Sequence, residues 1–292
     1  MMFDPYFLLA LLEGTVTAAI LALTAVGLSL VFGVMRVVNV AHGEFLMLGA
    51  VVAWYVATFV PGPPLMTWAA ALVIAPLVVG GVAALADRLV LRRLNYEAEG
   101  TIVATIGLMY ILQQAVLTGF GPGARAVEPP FDWMIDTPWF GYSGYKLAVV
   151  GLAALVLGAV WLFMTRSRAG LVMRATQIDR DMARAFGINV DRVYALVFAL
   201  GAGLAALAAV LLVPVQQAHY LMGHDPMLMA FTVVIIGGLG SVRGTLIAAL
   251  LIGLSDGVIS FYWSPLLAKI LATLFVALVL VFRPQGLFGE RA

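Results

Sequence analysis

Six stretches of this chain contain no Asp, Glu, Lys or Arg: residues 14–35, 45–86, 100–124, 147–165, 193–224 and 226–242. A bilayer-spanning helix needs about 20 mainly apolar residues, so most of these stretches can each cross a membrane and residues 45–86 can do so twice. Only 11% of the residues are charged, about half the share in an ordinary soluble chain. A transmembrane β-barrel would show short segments of alternating hydrophobicity, and the sequence has none. The fold class expected is therefore all-α: one polytopic membrane domain over residues 1–292. It should have about eight transmembrane helices, with one or two discontinuous segments. Asp4 and Glu13 flank the start of the first apolar run with no basic residue before it, the wrong charge for a cleaved leader, so this helix is expected to be retained.

The expected helices lie near 7–34, 40–60, 65–87, 100–119, 147–165, 193–213 and 265–282. Prolines at 61–64 and at 214 mark two of the ends, since proline cannot continue a helix. Arginines concentrate in segment 166–192 (Arg166, Arg168, Arg174, Arg180, Arg184, Arg192) and in the 88–99 loop (Arg88, Arg92, Arg93). Basic loops face the cytoplasm, which places 61–64, 120–146 and 214–225 outside and the turn before His42 near the inner face. An odd number of crossings must then connect 214–225 to an inner C-terminus. Residues 226–262 therefore either cross twice or enter and return, with the reversal at "GGLGSVRG" (237–244). Aromatics in the 120–146 loop (Phe131, Trp133, Trp139, Phe140, Tyr142, Tyr145) suit an interfacial belt.

Enzymatic signatures are missing. The two lysines, Lys146 and Lys269, follow no glycine-rich phosphate loop, and no Gly-x-Ser-x-Gly elbow occurs. His42, His219 and His224 lack the cysteines or paired carboxylates of a metal centre, and there is no cysteine at all. No metal, cofactor or nucleic-acid partner is expected. ATP and magnesium, if used, belong on another chain.

Two polar, glycine-rich interruptions lie in opposite halves: Asn39, His42, Gly43 and Glu44, and Gly237, Gly238, Gly240 and Ser241. Breaks in both halves of a membrane chain point to a translocation path. Close packing of helices accounts equally for Gly49, Gly201, Gly203 and Gly253. Glu13, Asp256 and Lys269 lie near expected interfaces and can pair or snorkel. Read as one helix from Leu171, the segment "LVMRATQIDRDMARAFG" puts Leu171, Ala175, Ile178, Met182 and Phe186 on an apolar stripe beside Arg174, Gln177, Asp181 and Arg184. Gly187 suits the position past a helix end, and Asn189 or Asp191 the next cap. Such a helix either lies in the headgroup layer or docks a partner.

"GLSLVFGVMRVVNVAHGEFLMLGA" (27–50), "MRATQIDRDMARAFGINVDRVYALVFALGAGLAALAAVL" (173–211) and "IIGGLGSVRGTLIAALLIGL" (235–254), in this order and spacing, resemble the branched-chain amino acid permeases of ATP-binding-cassette importers, the LivH type. The resemblance covers nearly the whole chain. It implies a multi-pass protein of the bacterial inner membrane that pairs with a second homologous permease, two cytoplasmic ATPases and a periplasmic solute-binding protein. It makes the two interruptions walls of the solute path. Residues Arg174, Ile178, Asp181, Met182, Ala183, Arg184, Phe186 and Gly187 become the surface coupled to the ATPases, with Ala183 and Gly187 at the family's small positions. Loops 120–146 and 214–225 become docking surfaces for the binding protein. Val242 and Arg243 depart from the small residues the family places there. The competing reading is an ion-coupled secondary transporter or channel working through Glu13, Glu44 or Asp256.

Overall fold

In the computed structural model, which describes residues 4–283 and 285–288, the chain is a bundle of helices with one small hairpin. The helices are α1 (Pro5–Met35), α2 (His42–Phe59), α3 (Pro64–Leu89, prolonged by a 3-10 turn at Leu91–Leu94), α4 (Ala98–Phe120) and α5 (Gly144–Arg166). They continue as α6 (Arg168–Ile178), α7 (Arg180–Ala185), α8 (Val190–Leu212), α9 (His224–Gly237), α10 (Val242–Tyr262) and α11 (Pro265–Phe282). Among the described residues eight are long and apolar enough to span a membrane, and the 14-residue α9 is not. The all-α expectation and the count of about eight hold. α9 is the discontinuous segment: at 1.5 Å per residue it reaches about 21 Å, short of a ~30 Å hydrocarbon core.

Capping side chains fix where several elements begin. Asp4 accepts from the Tyr6 amide ahead of Pro5, and Ser264 accepts from Leu267 ahead of Pro265. Each satisfies an amide that the first helical turn cannot, and proline at the first position loses no bond. The aromatic-rich loop 120–146 contains an antiparallel pair, β1 (Met134–Asp136) with β2 (Gly141–Ser143), in register Ile135 opposite Tyr142. Loop 120–146 is also joined to 214–223: Arg125 and Ala218 exchange both backbone bonds at 2.9 Å.

The centre of the bundle is α1. Its most apolar window is 83% buried, against 11% in α5 and 17% in α4 and α11. Lipid tails are as apolar as leucine, so close backbone approach, not hydrophobicity, must hold membrane helices together. A Cβ on Gly49 would lie 2.5 Å from Ala206 Cα, closing α2 on α8. One on Gly27 would lie 2.5 Å from Gly201 O, closing α1 on α8, and one on Gly253 would collide with Ala18, closing α1 on α10. Gly203 meets only ordinary contact, with Pro76 O at 3.5 Å. The single charges are paired as well: Lys146 lies 2.6 Å from Glu13, and Lys269 2.6 Å from Asp225. Asp256 has no ion pair among the described residues.

Gly49→Val and Gly253→Val should each destabilise the purified protein by about 1–3 kcal/mol or more, the cost of overpacking, read as a lower thermal midpoint in detergent. Gly107→Ala and Gly151→Ala, where a Cβ meets nothing within 4 Å, should leave it unchanged or raise it slightly.

Candidate functional site

After α1 ends at Arg36, which takes a left-handed conformation (φ 55°), the chain does not turn at the inner face. It runs back along the bundle as six non-helical residues, 36–41, and only then begins α2. His42 marks the depth: its Nε2 lies 2.9 Å from Thr24 O, and its ring abuts Gly27. Thr24 is 11 residues before Met35, so α2 starts about 16 Å above the inner end of α1. The turn read from sequence as interfacial therefore lies within the bilayer. Irregular backbone at such depth requires protein or a water-filled cavity to satisfy it. Asn39 supplies part of that, its Oδ1 accepting from the Ala41 amide at 3.1 Å, while the Val40 amide donates to Thr105 of α4.

The partner of this break is not the 237–244 turn but the chain before α9. A Cβ on Gly43 would sit 2.5 Å from Gly223 O, and one on Gly223 would strike Gly43 O. Two helix starts thus meet backbone to backbone inside the membrane, and segment 219–224 dips to this depth instead of staying wholly outside. The side chains that follow meet too. Glu44 Oε1 lies 3.5 Å from His224 Nε2, and that same nitrogen lies 3.1 Å from the Gln113 amide of α4. One ring nitrogen serves two partners, donating to the carboxylate or accepting from the amide. The Glu44 side chain is 2% exposed and His224 51%; Glu44 Oε2 and His42 Nδ1 have no partner among the described residues.

Asn39 and His42 are enclosed by protein, so the surface open at this break belongs to His224 and Gln113 and only reaches Glu44 through them. Neither had been singled out from sequence. The "GHDP" opening of α9, a histidine at the start of a run too short to span, is the signal that could have found His224.

The second interruption lies at the inner end. Gly238 (φ 99°) and Gly240 (φ 81°) make the reversal, positions where a side chain would be strained. Gly237 packs on Gly244, Gly240 on Gly33 of α1, and Ser241 caps α10 by accepting from the Gly244 amide. The expected reversal is present, packed against the C-terminal end of α1 and beside Gln177 of α6.

The segment read as one helix from Leu171 is two. Asp179 leaves the helical conformation (φ −150°) and its Oδ1 accepts from the amides of Asp181 and Met182, so α6 stops and α7 starts anew. Leu171, Ile178, Met182 and Phe186 are all exposed, Ile178 at 81% and Phe186 at 83%. Arg174 is half-buried, Asp181 and Arg184 are exposed, and Ala183 is buried, packed inward. Gly187 follows with φ 81°, and Asn189 caps α8 through the Arg192 amide. Asp191 ties the segment to neighbouring elements, 2.7 Å from Arg92 after α3 and 3.8 Å from Arg184 of α7.

Residues 10–282 match the family of branched-chain amino acid transport system permease components. The chain belongs to this family. The high-affinity branched-chain amino acid permease LivH of Escherichia coli K12 is 29% identical over 98% of this chain and 96% of its own length. BraD of Pseudomonas aeruginosa is 29% identical over the same shares, and the probable LivH of Methanocaldococcus jannaschii 25% over 96% and 92%. Among solved structures, PsaBC from Streptococcus pneumoniae in complex with Fab superposes with a TM-score of 0.50 at 11% identity, over 94% and 92% of the two chains. That likeness shows the fold.

In this permease the Glu44–His224 contact is testable in isolation. Removing His224 should destabilise by about 1–3 kcal/mol, the cost of leaving the buried Glu44 carboxylate unmatched, whereas removing Glu44 leaves a half-exposed ring still served by Gln113 and should cost less. A double-mutant cycle of Glu44→Ala and His224→Ala, read by thermal unfolding, should return a coupling above about 0.5 kcal/mol; additive effects would show that the contact carries no energy.

Proposed function

We propose that this chain is the membrane subunit of an ATP-driven importer of the bacterial inner membrane, and that its cargo is a branched-chain amino acid or a related small polar solute. Family membership and eight spanning helices support the setting. The cargo class follows from the relatives that the chain matches along almost their whole length. A solute-binding protein on the outer face would hand the solute over. A second, homologous permease would complete the path, and two ATPase subunits would supply ATP, magnesium and the driving force.

The observation that carries the path is the meeting of two helix starts at membrane depth, with Glu44, His224 and Gln113 around it. A zwitterionic amino acid needs polar groups along its way, but few, because selectivity belongs chiefly to the binding protein. Asn39, His42, Gly43 and Glu44 shape this wall: the first two fix the backbone, Gly43 allows the close approach, and Glu44 orients His224. Gly237, Gly238, Gly240 and Ser241 form the inner exit, where solute would leave between α9, α10 and the end of α1.

The exposed apolar residues Ile178, Met182 and Phe186, with Arg174, Asp181 and Arg184 around them, are the surface on which ATPase closure would act. Asp191 would pass the push to α8 and to the turn after α3. Ala183 and Gly187 serve here by shape, one packed inward and one bending the chain. Phe186→Ser and Ile178→Ser should therefore lower transport and substrate-stimulated ATP hydrolysis at least tenfold in proteoliposomes, with the permease still folded. Ala183→Leu instead overpacks the segment against its own bundle.

The deciding experiment reconstitutes the permease pair, ATPases and cognate binding protein, then compares leucine with urea and aromatic acids as ligands. Stimulated hydrolysis and uptake of leucine are expected. Uptake by this chain alone under an ion gradient would favour the secondary-transporter reading instead.

A further inference from the structure

Between α3, α5 and α8 an open groove of about 620 Å³ runs along the outside of the bundle. Its walls include Leu77, Gly81 and Ala84 of α3, Ala159 and Phe163 of α5, and Leu200 of α8, and no charged residue lines it. Gly81 leaves it hollow: a Cβ there would meet nothing within 4 Å. In water such a surface would need a protein cover, but here it opens toward the hydrocarbon.

The charges begin where the groove ends. On α3 the wall positions 77, 81 and 84 continue at helical spacing to Arg88. On α8 the wall residues Leu196 and Leu200 continue to Arg192, and α5 ends in Arg166, followed by Arg168. The register of α3 against α8 puts two of these side by side. Gly80 lies against Ala199 and Pro76 against Gly203, so in this antiparallel pair Arg88 falls level with residues 191–192. Arg92, in the turn one helical step beyond Arg88, reaches back to Asp191.

All four arginines are exposed, and none makes an ion pair among the described residues. The nearby carboxylate of Asp191 is already shared by Arg92 and Arg184, and Asp87 is buried away from them. An apolar slot is thus followed, at the ends of the three helices that line it, by arginines that have no ion pair among the described residues.

We propose that this groove is a binding site for an anionic phospholipid of the cytoplasmic leaflet. One acyl chain lies along Gly81 and Ala84, and the phosphate is held by Arg88 and Arg192, with Arg166 or Arg168 closing the third side. Guanidinium groups match phosphate oxygens in pairs, and basic pockets at the inner ends of membrane helices select anionic headgroups. The site lies at the root of the α3 turn and of α8, the two elements that Asp191 links to α7, so an occupied groove braces the cytoplasmic side of the bundle.

The test uses the full-length protein, delipidated in detergent and titrated with phosphatidylglycerol or phosphatidylcholine of the same acyl chains. Binding is read by native mass spectrometry and by the thermal midpoint. Phosphatidylglycerol should be retained at least tenfold more than phosphatidylcholine and should raise the midpoint. The Arg88→Gln/Arg192→Gln variant should lose that preference. Gly81→Phe, which fills the slot without a backbone clash, should lose retention of both lipids, whereas Gly81→Ala should keep it. Equal retention of the two lipids, or a Gly81→Phe protein that binds like the parent, overturns the proposal. So does a Gly81→Phe protein that keeps its lipid but no longer pairs with a second permease, which would assign the groove to a protein interface.

Discussion

A peptide group that leaves its helix inside a membrane has no water to turn to, and this single cost organises the chain. Residues 36–41 lie non-helical along the C-terminal part of α1, and protein meets some of their amides: Asn39 folds onto Ala41, and Thr105 receives Val40. His42 reaches across to Thr24. None of this is possible unless other helices come close, and they do so only because Gly43 faces Gly223 and Gly27 faces Gly201. The small residues are therefore conditions for the break, and the break is the condition for polar side chains at depth. An unbroken helix in its place would span the bilayer more cheaply and bring no second helix start to meet it.

The distribution of burial follows from the same constraint. α1 is enclosed because it must shield both irregular segments and both short approaches. α4, α5 and α11 expose most of their apolar windows, surfaces for lipid and for other subunits. Two ion pairs join distant elements, Glu13 with Lys146 and Asp225 with Lys269, while Asp256, Arg88, Arg166, Arg168 and Arg192 have no ion pair among the described residues.

Much of this was legible in the residues themselves. Charge-free runs located the spans, and Gly187 and Asn189 marked a helix end and a helix start where both occur. What escaped the sequence depended on distance along the chain. The turn before His42 read as lying near the inner face, because nothing local shows that Gly223 will come to meet Gly43. The two glycine-rich interruptions looked like counterparts, but one lies at depth and the other at the inner end. Asp179 was missed for a different reason: the apolar spacing from Ala175 through Ile178 and Met182 runs unbroken through a residue whose side chain nevertheless caps a new helix. The hairpin at 134–143 was hidden by strands of only three residues.

The bridge between Arg125 and Ala218 has a mechanical meaning. Ala218 is five residues from Gly223, and five residues of chain span at most about 18 Å, so the outer strand pair and the Gly43–Gly223 contact are joined by a short leash. The length of that leash sets a limit on motion: the Gly43–Gly223 approach and the Arg125–Ala218 pair cannot separate by more than the intervening chain allows, so a large displacement of either must carry the other with it.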